Sequence, residues 1–465
     1  MNAVHDSFSP DANQPHTAPV SPVGVVASVT PRSIICAMPA EAASAAGLTI
    51  GSVLIADGPV QAIATVSSLE APAASVEADT FELVLIEAEL KGRVCEEGRL
   101  ESRITYPAVG EKIRLLNLCD ALAHREEHLS RPITIGALGE QAVAFDADRA
   151  LNEGLQICGS PLNTAPTLAV VLRALLLSGF PARLMLIDPG DLFTESFGAG
   201  ASVVDASLGL MAPGYLMADE IETILTALGE PLPRHERTAL ARVARGQGGS
   251  FQDLLADLED LALNDAGSAG LIRRLNDARD NPACAPFLGP QTDHLTSEEF
   301  LQTFFRLPDG RPPMAVCQLG QIDRALKPAA AKILLRAGRT LAQATGGRVP
   351  VLMAAHQADD LGIADAGTSP HFALIASKRE APNDQSTALI HTGTAFLMEN
   401  EAHQTAAAQL GEGQSVLVEA GLPWPQRFDV DALPDHAVPG HRADGQAPAG
   451  DVQSLLEAVT QAFSA

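Results

Sequence analysis

The chain has few aromatic residues, and its charge is strongly one-sided. Aromatics make up 4% of its 465 residues, with one Trp and two Tyr, so it lacks the stacking platforms on which single-strand nucleic-acid binders hold bases. The formal net charge of −26 repels phosphate backbones and leaves no general basic surface for nucleic acid. A ring-shaped translocase could still contact DNA through a few basic residues in a central pore, so DNA binding stays open.

Cysteine pairs and long apolar runs are also absent. The six cysteines are scattered and form no C-x-x-C pair, which excludes a zinc ribbon or a disulfide framework and predicts reduced thiols in a cytoplasmic protein. No run approaches the ~18 apolar residues of a membrane helix, so no membrane partner is expected.

Hydrophobic patterning divides the chain into segments. Residues 1–22 are rich in Pro, Ser, Asn and His and predict a disordered tail. Residues 23–130 show short alternating apolar runs, which predict a small β-barrel or sandwich, and a connector helix follows. Residues 131–434 alternate strands with helical stretches, the pattern of an α/β domain with a mainly parallel sheet, and a helical insertion is predicted at about 218–295. Residues 435–465 predict a linker and a short amphipathic helix.

The context of a phosphate-binding loop occurs at Gly159, where a strand enters a Gly-Ser turn and an amphipathic segment (168–177) follows. An active loop needs G-x-x-x-x-G-K-[S/T], whose glycines, lysine and hydroxyl hold the phosphates and Mg²⁺. Counted from Gly159, the second glycine is Thr164, the lysine is Ala165 and the hydroxyl is Pro166. None of the chain's lysines follows such a pattern, so a Walker A lysine is missing.

A weak remnant of nucleotide binding stays open at this position, because a helix N-terminus attracts phosphate through its free N–H groups. The residues for such vestigial binding are Gly159, Ser160, Asn163, Thr164 and Thr167. Two prolines argue against it, since each removes a donor, and Pro166 is acceptable only in the first turn of the following helix.

The order of these features resembles one family, the HerA/FtsK-like hexameric DNA-translocating ATPases, in particular the HerA branch with its N-terminal β-barrel. Residues 23–29 are similar to the first barrel strand, and residues 103–111 resemble the family's turn after the barrel. Residues 133–138 resemble the strand that enters the ATPase domain, and residues 186–191 (LIDPGD) a later family segment. The resemblance covers about residues 23–430. It implies a RecA-like P-loop NTPase-type domain, a hexameric ring, and ATP with Mg²⁺ as cofactors of active members.

The chain departs from that family where the chemistry lies. The Walker B-like strand (349–355) is followed by His356 and Gln357, where the family has an acidic pair that orients the Mg²⁺ water shell and activates water. Lys378 stands in the place of a sensor glutamine. Together with the missing Walker A lysine, these losses imply an ATPase fold without hydrolysis, so no cofactor is expected.

Two arginines ahead of the Walker B-like strand, Arg336 and Arg339, are candidate arginine fingers for a neighbouring subunit. A solvated helix face is the favoured alternative.

Two groups of residues are candidate metal sites, and an ordinary polar surface is the alternative for each. His124-Arg-Glu-Glu-His128 spells the inverted zincin motif H-x-x-E-H, but only Glu195 and Glu220 are available downstream as a third ligand, and a solvated connector face is favoured. His356 with Asp359 and Asp360 is a weak metal cluster, for which a polar loop is favoured. No metal is expected.

The sequence therefore predicts a catalytically silent HerA/FtsK-like homologue that acts as a structural or regulatory ring or scaffold subunit. A nuclease, a defence effector or an active HerA-like paralogue is the kind of partner that the resemblance implies. The alternatives are an ATP-driven DNA translocase with atypical residues and, below it, a zinc peptidase.

Overall fold

The computed structural model describes most of the chain between residues 24 and 430. The described residues are 24–70, 83–94, 100–101, 103–116, 129–138, 141–149, 154–229, 231–245, 249–262, 267–307, 312–363, 371–379, 388–392, 410, 414–418 and 426–430. The predicted tail, the core of the connector helix with the H-x-x-E-H motif, and the segment 435–465 lie outside them. The described residues fall into two compact units, one before residue 126 and one after it.

The first unit is a small closed β-barrel. Its elements are β1 (Gly24–Val29), β2 (Ser33–Pro39), α1 (Ala40–Ala45), β3 (Val53–Asp57), β4 (Gln61–Glu70), β5 (Leu83–Val94), β6 (Leu100–Glu101) and β7 (Lys112–Leu115). The strands pair in the order β2-β1-β7-β3-β4-β5, and β5 pairs back with β2 to close the ring. Alternate residues of β2, Ile34, Cys36 and Met38, are buried, as the period of two in a barrel strand requires. The predicted small barrel is confirmed.

One detail of that prediction is wrong. Residues 103–111 were expected to form a turn after the barrel, but β7 follows them and pairs with both β1 and β3. The segment therefore lies before the strand that completes the ring. At four residues, β7 is too short for its alternation to stand out in the sequence.

The second unit is built on one large sheet. Its strands are β8 (Pro132–Leu138), β9 (Gln141–Asp146), β10 (Leu155–Gly159), β11 (Arg183–Asp188), β12 (Ala201–Asp205), β13 (Met314–Gln318), β14 (Val351–Ala355), β15 (Phe372–Lys378), β16 (Ala388–Thr392), β17 (Gln414–Val418) and β18 (Gln426–Val430). They lie in the order β12-β13-β11-β14-β15-β10-β16-β17-β18-β8-β9. The run from β12 to β16 is parallel, and the run from β16 to β9 is antiparallel. Every residue of β11 and β14 is buried, as expected for parallel strands covered on both faces.

Helices cover this sheet. They are α2 (Pro161–Leu177), α3 (Ala218–Leu228), α4 (Arg234–Val243), α5 (Phe251–Ala262), α6 (Gly267–Arg279), α7 (Ala285–Leu288), α8 (Ser297–Phe305) and α9 (Lys327–Ala344). The run from α3 to α7 occupies the range of the predicted helical insertion, and α8 follows it. Thr296 and Glu299 form a capping box at α8, with each backbone N–H donating to the other residue's side chain at 2.9 and 3.1 Å. Within the described part of the chain, no helix is both long and apolar enough to span a bilayer.

The helices α2 and α9 lie on opposite faces of the sheet. Ser377 of β15 donates a hydrogen bond to Thr164 of α2. Its neighbour Ala376 and the alternate residue Leu374 belong instead to the apolar core that contains the buried side of α9. Successive side chains of a strand point to opposite faces, so the sheet is sandwiched between the two helices.

Candidate functional site

The candidate site is the edge of the sheet where β10, β14 and β15 end. Cys158 lies opposite Lys378 in the β10–β15 register, and Ala355 lies opposite Ala376 in the β14–β15 register. The remnant at Gly159, the pair that follows β14 and Lys378 therefore meet at one edge, where open α/β sheets bind ligands. The fold brings together the three places at which the sequence is predicted to depart from the HerA/FtsK-like ATPases.

The expected loop after Gly159 is absent, and that prediction is wrong. Gly159 ends β10 with a φ of 150°, Ser160 is the N-cap residue, and α2 begins at Pro161. Pro166 is consequently the sixth residue of the helix and lies beyond the first turn in which it was expected. A Ser before a Pro is a strong helix-start signal, since Ser favours the N-cap and Pro the first helical position.

The first turn of α2 has almost no free backbone donors. Pro161 has no N–H, and the N–H groups of Asn163 and Thr164 both donate to the carbonyl oxygen of Ser160, at 3.0 and 2.9 Å. Leu162 N–H is the donor of this turn that no described residue accepts. A phosphate-binding loop works by aiming several N–H groups at one phosphate, and this turn can offer one.

The two threonine hydroxyls of the remnant serve the packing of α2. The Thr164 side chain is buried, and its Oγ1 accepts a 2.9 Å hydrogen bond from Ser377 Oγ of β15. The Thr167 Oγ1 donates to the carbonyl of Asn163 at 3.3 Å. These bonds join the helix to the sheet and to itself, and Asn163 is exposed.

The His356 side chain is buried beneath the first turn of α2. It is fully buried, its Nε2 lies 3.4 Å from the carbonyl oxygen of Pro161, and its ring meets Phe193 edge-on at 5.4 Å between centroids. Burial lowers the pKa of His356 below its ordinary value, against the opposing effects of the Pro161 carbonyl and the Asp188 charge. The imidazole is neutral at pH 7 and cannot act as an anionic base. Gln357 follows in a left-handed conformation, with φ 52°.

Lys378 lies at the end of β15 and is buried but for 9% of its surface. It faces Cys158, whose thiol has its pKa raised to about 12 by burial, an effect that the Lys378 charge partly offsets. The thiol is therefore protonated and unreactive at neutral pH.

The weak metal cluster is not assembled. His356 points under α2, whereas Asp359 accepts the Arg379 backbone N–H at 2.7 Å and Asp360 pairs with the Arg379 guanidinium at 2.7 Å. Among the described residues, no group of three His, Cys, Asp or Glu side chains lies close enough to hold a metal ion.

The two candidate arginine fingers have different surroundings. Arg336 pairs with the buried Glu220 of α3 through Nε at 2.6 Å and Nη2 at 3.0 Å, and it donates to the Tyr215 carbonyl at 3.0 Å. Arg339 lies over the Phe372 ring, 5.4 Å from its centroid. The solvated-face alternative is therefore wrong for Arg336, and both arginines are half-buried. A role toward a neighbouring subunit stays a prediction.

Glu220 is the residue of this region that the sequence did not identify. In the sequence, Glu220 is a candidate only for the third ligand of the H-x-x-E-H motif. Its true partner is 116 residues away in the chain, and no local spacing connects the two. The signal available was on α9, where Lys332, Arg336 and Arg339 recur at the three- and four-residue spacing of one helix face.

Comparisons with known proteins give a distant likeness to two kinds of solved structure. The VirB4 structure of Thermoanaerobacter pseudethanolicus is 13% identical, covers 66% of this chain and 98% of its own, and has a TM-score of 0.46. The bacterial conjugative coupling protein TrwB, solved with sulphate, is 12% identical over 70% of this chain and 94% of its own, with a TM-score of 0.41. The plasmid coupling protein TrwB in complex with ADP and Mg²⁺ is 11% identical, covers 72% of this chain and 94% of its own, and has a TM-score of 0.40. No protein-family profile matches the chain, and no curated protein matches its sequence.

Proposed function

We propose that this protein is a catalytically silent member of the ATPase fold class, related to the HerA/FtsK-like group, that acts as a structural or regulatory subunit of a ring or scaffold. The observation that carries the proposal is the start of α2 at Pro161. With the Asn163 and Thr164 N–H groups bonded to Ser160, the turn has no cradle for a β- or γ-phosphate. Binding and hydrolysis of ATP would require this turn to unfold first.

The other residues of the edge support the same conclusion. Phosphoryl transfer needs an anionic group to orient the water shell of Mg²⁺ and a base or positioning group for the attacking water. His356 is neutral and buried beneath α2, and Lys378 offers a positive charge where a polar sensor is expected. The start of α2 at Pro161, His356 and Lys378 are three separate changes that affect phosphoryl transfer. Each removes a different group that the reaction needs.

A scaffold role also needs a surface for partners, and the same edge offers exposed apolar side chains. Leu162 follows β10, Leu192 follows β11 and Leu208 follows β12; they are 86%, 55% and 76% exposed. All three follow the carboxyl ends of parallel strands, so they lie along one edge of the sheet. Exposed apolar groups gathered on one side of a protein are typical of an interaction surface. We propose that this edge contacts another copy of the chain or a partner protein such as a nuclease, a defence effector or an active paralogue.

Association and nucleotide chemistry are tested on the same purified protein. Light scattering should give a particle several times the 48.5 kDa of one chain, and Mg-ATP should be neither bound nor hydrolysed. Leu162→Ser should reduce the mass. Leu177→Ser is the matched control, because Leu177 is 52% exposed at the opposite end of the same helix, and it should leave the mass unchanged. A monomeric protein that turns over ATP would contradict both parts of the proposal.

A further inference from the structure

A groove lies between α3 and α9, on the face of the sheet opposite α2. Its volume is about 720 Å³, within the range of small-molecule sites. One wall is a single face of α9, and its polar members are Lys332, Arg336, Arg339, Thr340 and Gln343. The first turn of α3 and residues 361–363, which follow β14, form the remainder. Apolar contacts are available at Leu335, Leu361 and Ile363.

Two of the three cations in this groove are neutralised by acids of α3. Lys332 Nζ lies 2.8 Å from Asp219 Oδ2, and Arg336 Nε lies 2.6 Å from Glu220 Oε1. Both pairs cross from α9 to α3, so they fix the width of the groove. They also place two carboxylates on its wall.

The third cation, Arg339, has no acid partner among the described residues. Its Nε is buried and has no hydrogen-bond partner, and its guanidinium lies over the Phe372 ring at 5.4 Å. Stacking on an aromatic face holds the guanidinium plane in place. The buried Nε cannot be reached from outside, so an acceptor supplied by a ligand would meet the Nη groups of this half-buried guanidinium, which lines the groove. The groove carries one positive charge in excess, and Arg339 is its source.

We propose that this groove binds a small ligand with a single carboxylate, which Arg339 takes in a forked hydrogen bond. The guanidinium fork matches a carboxylate in geometry and charge. A dianionic phosphate fits less well, because the groove has only one positive charge in excess and would leave the second negative charge unbalanced. The ligand's body packs on Leu335 and Ile363, and the Thr340 hydroxyl and Gln343 amide are the hydrogen-bonding groups beside it. This site is separate from the sheet edge at Gly159.

The test uses pairs of probes that differ only in charge. Benzoate and hexanoate are titrated into the full-length protein by calorimetry, with benzamide and hexanamide as neutral counterparts of the same size. The carboxylates should bind and raise the melting temperature, and the amides should do neither. If benzamide binds as tightly as benzoate, or if neither carboxylate binds at millimolar concentration, the proposal is overturned.

Variants of the chain then place the binding at Arg339. Arg339→Gln should weaken benzoate roughly 10- to 100-fold, the usual loss for a charge-assisted hydrogen bond. Arg242 is an exposed arginine in the last turn of α4, and the Arg242→Gln variant should bind benzoate as tightly as the unchanged protein does. Thr340→Phe keeps Arg339 but fills the groove, and it should abolish binding if Arg339→Gln proves too unstable to assay.

An acidic side chain of a second copy is the competing occupant. If Arg339→Gln lowers the mass in light scattering and leaves benzoate binding unchanged, Arg339 binds an acidic side chain of a second copy, and the ligand proposal is overturned.

Discussion

The ion pair between Arg336 and Glu220 should be the strongest single link between α3 and α9. The Glu220 side chain is 1% exposed, and its carboxylate accepts from Arg336 Nε at 2.6 Å, Arg336 Nη2 at 3.0 Å and Met217 N–H at 2.8 Å. Arg336→Ala removes two of these donors and leaves a buried carboxylate with one. Removing one partner of a buried ion pair costs about 3–5 kcal/mol, and we expect a loss of that size.

The matched control is one turn away between the same two helices. Lys332 and Asp219 are 41% and 64% exposed, and exposed pairs contribute about 0–1 kcal/mol, so Lys332→Ala should cost no more than that. The double variant Glu220→Gln/Arg336→Met removes both charges and should recover part of the loss, because no buried charge is left unpaired.

Hydrogen exchange followed by mass spectrometry measures the opening free energy of α3 and α9 and distinguishes it from the opening free energy of the barrel. If Arg336→Ala costs less than about 1 kcal/mol, or no more than Lys332→Ala, the reasoning from burial is refuted.

Two further predictions concern the sheet edge. Ala165→Lys restores the missing lysine but should produce no binding of Mg-ATP by calorimetry, because the first-turn N–H groups of α2 are already bonded to Ser160; a measurable affinity would contradict the account of the turn. His356 has a lowered pKa in the folded state, so the unfolded chain takes up a proton first as pH falls below about 6.5. Stability should be fully present above that pH and should decline below it by up to about 1.4 kcal/mol per pH unit. Urea unfolding at pH 7.5 and 5.5 should therefore show a smaller pH dependence in His356→Leu, and an equal dependence in both proteins would exclude His356 as its origin.

Much of the architecture could be predicted because burial leaves a direct trace in the sequence. The strands β11 and β14 are buried on every residue: β14 is an unbroken apolar run, and β11 has four apolar residues between Arg183 and Asp188. In the barrel strand β5, Glu87 and Glu89 alternate with buried apolar residues. The capping box at Thr296 and Glu299 is a local signal, since both partners lie within one turn.

The parts that could not be predicted depend on short elements or distant partners. β7 has four residues, too few to show a period, and it acquires its place only by pairing with β1 and β3. The start of α2 is ambiguous in the sequence, because a strand followed by Gly-Ser is typical of a phosphate-binding loop whereas Ser160-Pro161 favours an immediate helix. The Arg336–Glu220 pair joins residues 116 positions apart, and only the fold brings them together.

Whether this protein is catalytically silent, as we claim, can be decided by measuring Mg-ATP binding and hydrolysis on the purified protein. We predict no turnover above a buffer blank and no saturable binding of ATP. Hydrolysis that disappears in His356→Leu or in a Lys378→Ala variant would contradict the claim, because it would show that the edge at Gly159 is an active site.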